Sequence, residues 1–287
     1  MDDLFSTPPC EHAGIAYNIL GLILLAGIAV NVVALCTGRF RQLRAPALQE
    51  RLRARSWSLL ESGCILLAIV TAWLLTVVAG LLARRAGLGP RAAETTALVA
   101  WTILVPALEI AALVLMAREK ETPLLRSFGL ERERLWTGFK QGILFYTMAI
   151  PVVAFYALLY SRLLHLIGEA PDKPQDIVQF MMDPAGPAAA QAFLAVAAVA
   201  LMPAAEELFF RGMLLPLAAT HARLSIAVCF VSVLFAVVHW HLPSLVPLFL
   251  IAVAFSLGYL YSGSIMVPIV MHAAFNAVNL ALILGMP

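Results

Sequence analysis

Residues 186–218 read GPAAAQAFLAVAAVALMPAAEELFFRGMLLPLA, an apolar run in which the charged side chains are Glu206, Glu207 and Arg211. The run shows no alternation of apolar and polar residues, which argues against a strand. It is longer than the roughly 20 helical residues that cross a bilayer core of about 30 Å. We therefore predict a membrane-spanning helix that carries ionisable groups.

Seven further apolar runs of similar length lie in the rest of the chain, near 13–37, 58–83, 95–117, 141–164, 223–240, 244–261 and 264–285. The 287 residues are 62% hydrophobic and 13% charged, with a mean hydropathy of +0.91. A soluble domain has roughly 45–50% apolar and about 25% charged residues. The composition excludes a soluble protein and predicts an all-α, polytopic bundle of about eight transmembrane helices, embedded in a lipid bilayer.

Other classes of protein and site are disfavoured by charge and cysteine content. The net charge of +2 argues against a nucleic-acid surface, so no nucleic-acid partner is expected. The four cysteines show no CxxC pair or zinc-like spacing.

The positive residues concentrate on one side of the predicted membrane. Loops 38–57 and 118–140 each contain six Lys or Arg residues, whereas the connections of the opposite side contain fewer. Positive-inside bias then makes both arginine-rich loops cytoplasmic and places both termini outside. The Ala/Leu-rich composition suggests a prokaryotic plasma membrane.

Ionisable side chains inside apolar runs indicate where function lies, because each costs at least about 2.5–3.5 kcal/mol at the bilayer centre. Glu207 and Arg211 are four residues apart and share a helix face, with the acid first, the better order for a helical ion pair. Glu206 lies about 140° away from Arg211 around the helix. One carboxylate is therefore neutralised and Glu206 is left available as a base or acid.

Two more patterns follow along the chain. Phe235 precedes His239 by four residues late in the sixth run, and His272 precedes Asn276 by four residues in the last run. The second spacing sets an imidazole beside an amide on one face, where both can donate to a developing oxyanion. Each pattern alone has a plain structural explanation, such as interhelical hydrogen bonding. Their joint occurrence in this order favours a site.

Glu-Glu-x-x-x-Arg, Phe-x-x-x-His and His-x-x-x-Asn, in sequence over roughly residues 188–285, resemble the CAAX protease and bacteriocin-processing family of intramembrane endopeptidases, also called type II CAAX prenyl endopeptidases. The resemblance implies that Glu206 and His239 activate a water for attack on a peptide carbonyl, while His272 and Asn276 form the oxyanion hole. It also implies that Glu207 and Arg211 support the site. On this basis we expect two parts of the chain: transmembrane helices 1–4 in residues 1–185, and a catalytic half with helices 5–8 in residues 186–287.

Family members are described both as metalloproteases and as glutamate proteases. His-Glu-x-x-His is absent, so zinc or another divalent metal would need Glu206, His239 and His272 from three different helices. Such a two-His, one-carboxylate set is chemically acceptable. The residues favour the metal-free mechanism, with no required cofactor and with a peptide or membrane protein as substrate.

The rival to an enzyme is a non-enzymatic membrane protein, such as a transporter subunit, an immunity protein or a scaffold. Glu109, in the middle of the third run, is the strongest rival buried acid. We expect that Glu109 has a structural partner, and the alternative is a role in a proton relay or in transport.

The depth of His272 yields a further expectation. His272 lies only about eight residues past the turn at Gly263, so it would be roughly 10–15 Å shallower than Glu206 if that turn lay at the membrane surface. We therefore expect the turn at 262–264 to be buried in protein or to face a water-filled cavity. We also expect Pro203 to kink its helix, one turn before Glu206.

Overall fold

A computed structural model describes residues 11–36, 49–50, 52–53, 57–119, 124–168, 176–183 and 186–284. Most of the arginine-rich loop 38–57, including Arg39, Arg41, Arg44, Arg51 and Arg55, lies outside these ranges. Lys120, one of the six positive residues of loop 118–140, and Lys173, on the opposite side of the predicted membrane, lie outside them too.

The described residues form helices and include no strand. The bounds are α1 Glu11–Cys36, α2 Leu59–Arg85, α3 Pro90–Glu119, α4 Leu124–Ser127, α5 Arg132–Leu166, α6 Asp176–Met182, α7 Ala188–Val199, α8 Leu201–Glu207, a π-helix Leu208–Leu214, α9 Leu215–His221, α10 Leu224–Val238, a 3₁₀ turn Leu242–Ser244, α11 Leu245–Ser262 and α12 Met266–Leu284.

Each of the eight predicted apolar runs is helical. Within the described ranges, seven helical segments are long and apolar enough to cross a membrane, and the segment 188–221 counts as one of them although it is made of four consecutive helices. The run predicted at 223–240 forms the shorter helix α10, of 15 residues. The prediction of an all-α polytopic membrane bundle is confirmed, and the chain is an integral membrane protein.

Helix α5, the longest, is central to the packing and contacts α1, α11 and α12. Gly138 and Gly142 allow α12 to approach it closely. A Cβ on Gly142 would lie 2.6 Å from Cβ of Val270, and one on Gly138 would lie 3.1 Å from Cβ of Met266. Small residues one turn apart let two membrane helices pack backbone against backbone. This contact fixes the start of α12, six residues before His272.

The turn between α11 and α12 is buried in protein, as expected from the depth of His272. Gly263 ends α11 in the left-handed conformation with φ +68°, which a residue without Cβ adopts at little cost. Ser264 is buried, and its hydroxyl donates to the Gly129 carbonyl over 2.7 Å. The Ile265 amide donates to the Phe128 carbonyl over 2.9 Å. The segment between α4 and α5 thus covers this turn.

The long segment 188–221 is interrupted where Pro203 predicted a kink. Helix α7 ends at Val199, and Ala200, with φ −117° and ψ −52°, separates it from α8. Pro203 has no N–H for the Val199 carbonyl and its ring crowds that carbonyl, because these residues are four apart. The interruption leaves the Val199 carbonyl without the backbone donor that a residue other than proline would supply at position 203.

The π-helix Leu208–Leu214 directly follows Glu207 and is supported from outside its own segment. The Trp57 indole N–H donates to the Gly212 carbonyl over 3.1 Å, and the Trp57 ring stacks on Phe128 at 6.2 Å between centroids. Seven residues after Gly212 and beyond, Gln49 donates to the carbonyls of Ala219 and Ala222. Gln49 and Trp57 therefore hold the C-terminal part of this helical segment.

Candidate active site

Glu206 lies where three helices meet. Its Oε2 is 3.9 Å from Nε2 of His239, at the end of α10, and 3.9 Å from Nε2 of His272, in α12. These separations exceed the 2.7–3.2 Å of an N–H···O hydrogen bond. About a quarter of the Glu206 and His239 side chains is exposed, whereas His272 is buried. The three groups converge on one small, partly open space.

The ring of His239 is held by its own helix. Its Nδ1 is 2.7 Å from the Phe235 carbonyl, one turn earlier. A carbonyl can only accept, so Nδ1 carries the proton and donates. Nε2 is thereby directed at Glu206 as the free ring nitrogen. In the Phe-x-x-x-His pattern, the backbone carbonyl of Phe235 thus orients the histidine ring. The sequence pattern alone does not indicate this contact.

His272 is held by Glu207. Its Nδ1 lies 2.9 Å from Glu207 Oε1, and the same oxygen accepts from Arg211 Nη1 at 2.8 Å. The ion pair expected from the spacing of Glu207 and Arg211 is present, with both side chains fully buried. A carboxylate that bonds the far nitrogen of an imidazole fixes the orientation of the ring. Glu207 and Arg211 therefore act on the site through His272.

Arg211 is surrounded by aromatic rings. Its guanidinium carbon lies 4.8 Å from the centroid of Phe235, 5.2 Å from that of Phe255 and 5.8 Å from that of Phe210. Its Nη2 donates to the Ala252 carbonyl over 3.0 Å. A buried charge is tolerated when it is paired and hydrogen-bonded, and the ring faces add cation–π attraction. The arginine ties α11 to the π-helix.

Phe255 is a site residue that the sequence reasoning missed. Its ring stacks on His272 at 5.0 Å between centroids, with 26° between the planes. It lies in the continuous apolar sequence of α11, where a phenylalanine is indistinguishable from any lipid-facing or core residue. Nothing in its local pattern signals the role.

Asn276 lies one turn after His272 and reaches the interruption of segment 188–221. Its Nδ2 donates to the Ala198 carbonyl over 2.8 Å. An amide nitrogen carries two hydrogens, so one remains for another acceptor. The structure places Asn276 on the face of α12 that carries His272, as its spacing predicts.

The π-helix begins immediately after Glu207, at the point where the acidic pair ends. π-Turns are rare and frequently occur at functional sites. Since a π-helix bonds i to i+5, each turn takes up more residues than a turn of α-helix. Helical periodicity in the sequence predicts the pair but not this widened turn.

Two further ionisable residues do not belong to the converging groups. Nδ1 of His241, which follows His239 by two residues, is 2.7 Å from the Ser244 hydroxyl. Glu109 is 1% exposed in α3, a helix that packs against α8, which carries Glu206. Within the described ranges, no group of three or more His, Cys, Asp or Glu side chains is suited to hold a metal ion.

Comparison with known families agrees with the motifs. Residues 188–278 match the family described as type II CAAX prenyl endopeptidase, Rce1-like. The match covers about a third of the chain and includes Glu206, His239, His272 and Asn276. No curated protein and no solved structure matches the chain. The resemblance seen in the sequence is confirmed over this segment, which matches the Rce1-like family model.

Proposed function

We propose, on the premise that residues 188–278 are a domain of the type II CAAX prenyl endopeptidase family, that the chain is an intramembrane endopeptidase that hydrolyses a peptide bond near the membrane surface. The observation that carries the proposal is the convergence of Glu206, His239 and His272, with 3.9 Å between the Glu206 carboxylate and each free ring nitrogen. Polar groups so separated can share one water.

Glu206 and His239 are the groups that activate this water. A carboxylate and an imidazole nitrogen orient the water, and Glu206 takes its proton as the oxygen attacks the peptide carbonyl carbon. The proton then passes to the leaving nitrogen as the C–N bond breaks. The products are a carboxylic acid and an amine, so atoms and charge balance.

His272 and Asn276 are the donors for the oxyanion. The Glu207 carboxylate accepts from Nδ1 of His272, which leaves Nε2 on the side of the ring that faces Glu206. When Nε2 carries a proton, it can donate to the oxyanion. The second amide hydrogen of Asn276 is the other donor. Such preorganised donors stabilise the charge that develops in the transition state.

Zinc is the alternative that the residues leave open. His239 and His272 each present Nε2 while Nδ1 is bonded to a carbonyl or carboxylate, the arrangement typical of zinc-ligating histidines. With Glu206, the donors are of the right chemical kind, although these described side chains are not drawn together as a metal-binding group; zinc there would supply Lewis acidity and a water that ionises near neutrality. We favour the metal-free mechanism, because His-Glu-x-x-His is absent and Asn276 is a poor zinc ligand.

The distribution of Lys and Arg in the sequence is the basis for a proposal about how the chain is oriented in the membrane. We propose that both termini lie outside a prokaryotic plasma membrane and that the arginine-rich loops are cytoplasmic. The contacts support grouping these loops, because Gln49 contacts the α9–α10 turn and Phe128 contacts the α11–α12 turn. Residues 186–287 form the catalytic half and residues 1–185 the remaining helices. The substrate is a peptide or membrane protein.

The test is a Glu206→Gln variant in cells that otherwise lack the protein, with Glu94→Gln as the matched control because Glu94 is exposed on α3. Comparative proteomics of membrane peptides should show uncleaved substrates accumulating with Glu206→Gln and wild-type cleavage with Glu94→Gln. Identical peptide profiles, with Glu206→Gln folded and inserted, would favour the non-enzymatic alternative, a transporter subunit, immunity protein or scaffold.

A further inference from the structure

Glu109 is a second buried acid, in a helix that packs against the one carrying Glu206, and the mechanism above does not use it. It lies in the middle of α3, 1% exposed, and its Oε1 is buried without a hydrogen-bond partner among the described residues. The structural partner that would explain a buried acid is therefore missing at this oxygen. An unpaired buried carboxyl group destabilises a fold, so its presence needs a reason.

The surroundings of Glu109 connect it with Glu206. Helix α3 packs against α8, which carries Glu206, so the two acids lie on neighbouring helices. The other helices that pack against α3 bring no competing charge near it, because α7 contains no charged residue and α2 has none between Glu61 and Arg84. Glu61 is engaged in the N-terminal cap of α2 with Ser58.

The Glu206 carboxylate has a matching deficiency. Its Oε2 is buried and, in the part of the chain that the structure describes, has no hydrogen-bond partner. An ionised carboxylate only accepts, whereas a protonated carboxyl group donates one hydrogen bond. Two neighbouring carboxyl groups that share one proton therefore satisfy each other, directly or through a water, and avoid repulsion between two negative charges.

We propose that Glu109 is a positioning residue of the active site: as a carboxylic acid it donates a hydrogen bond to Glu206, directly or through one water, and fixes the carboxylate toward His239 and His272. The proposal rests on the proposed function. Glu109 lies in α3, outside the segment that matches the family. It does not touch the substrate, because it is buried.

The test separates donation from burial with two substitutions. Glu109→Gln keeps a neutral donor of the same shape, and Glu109→Leu removes the donor and fills the space. The assay uses a fluorogenic peptide built on a cleavage site found by comparing wild-type and Glu206→Gln cells. We expect Glu109→Gln to keep kcat within a few-fold, and Glu109→Leu to lower kcat about 10–100-fold at unchanged KM.

Stability should not fall together with activity. Glu109→Leu replaces a buried carboxyl group by an apolar side chain, and Glu206, a quarter exposed, can be rehydrated, so the melting temperature in mild detergent should be kept while kcat falls. A merely structural residue would not show this split. Thr102→Val is the matched control, because Thr102 is buried on the same helix and its hydroxyl bonds its own backbone at Leu98. It should leave kcat unchanged.

Several results would overturn the proposal. Wild-type kcat in Glu109→Leu would do so, and so would a loss in Glu109→Gln as large as that in Glu109→Leu. If Glu109→Leu does not fold, Glu109→Met, which has similar length and no donor, takes its place. Inactivity of Glu206→Gln combined with full activity of Glu109→Leu refutes this inference alone, whereas full activity of Glu206→Gln refutes the proposed function.

Discussion

Asn276 is positioned by Ala198, a residue of a different helix, through the hydrogen bond of 2.8 Å from its amide nitrogen to the Ala198 carbonyl. This carbonyl lies beside the interruption of the helix before Pro203. The same proline that breaks the helix before Glu206 therefore helps to expose the acceptor for Asn276. The proposed base and the proposed oxyanion donor are linked through one short stretch of backbone.

Asn276→Ala should lower kcat about 10²–10³-fold with little change in KM, because an oxyanion donor acts mainly in the transition state. The measurement is steady-state kinetics with the fluorogenic peptide. Asn279→Ala, three residues further along α12, is the matched control and should keep wild-type kcat. A normal kcat in Asn276→Ala would exclude Asn276 from the oxyanion hole.

Arg211→Met should strongly destabilise the protein, by about 3–5 kcal/mol, because the buried Glu207 carboxylate then keeps only its contact with His272. The double variant Glu207→Gln/Arg211→Met removes both charges and should recover much of this loss, while activity stays low because His272 loses its orienting carboxylate. Thermal unfolding in detergent and kcat should be measured together. Wild-type activity in the double variant would show that Glu207 does not position His272.

Gly212→Ala should destabilise the protein by about 1–3 kcal/mol through overpacking. A Cβ at this position would lie 2.6 Å from Cε1 of Phe128. Gly63→Ala is the control, because nothing lies within 4 Å of a Cβ there. Adding Phe128→Leu to Gly212→Ala should recover part of the stability. Equal melting temperatures for Gly212→Ala and Gly63→Ala would contradict the close contact.

Exhaustive chelation of the purified enzyme should leave its activity intact, because the favoured mechanism needs no metal. Elemental analysis of the same sample measures residual zinc and other divalent metals. Activity that is lost on chelation and restored by added zinc would establish the alternative, with Glu206, His239 and His272 as ligands.

The fold class and the composition of the converging site could be predicted because both depend on local properties. Long apolar runs specify membrane helices regardless of their partners. The spacing of Glu207 and Arg211 specifies a shared face, and their contact of 2.8 Å agrees. The turn at Gly263 was expected to be buried because His272 could not otherwise reach Glu206. These inferences need only helical geometry.

The contacts between distant segments could not be predicted, since apolar sequence does not encode which helix a residue meets. Phe255 stacks on His272 and the Ala252 carbonyl accepts from Arg211, yet neither differs from its apolar neighbours in α11. The sequence likewise gives no signal that the helix widens into a π-helix at Leu208–Leu214. The geometry of the site depends on packing that emerges only in three dimensions.

Because Trp57 donates a hydrogen bond to the Gly212 carbonyl, part of the packing around the family-matched segment is supplied by residues outside that segment. An indole from the first half of the chain and the Phe128 ring beneath it occupy the space beside the turn that carries Arg211. Relatives that share the three motifs but differ before residue 188 must fill this space otherwise. Transplanting residues 188–278 into another membrane protein would therefore transfer the proposed catalytic residues without Trp57 and Phe128, which pack beside them.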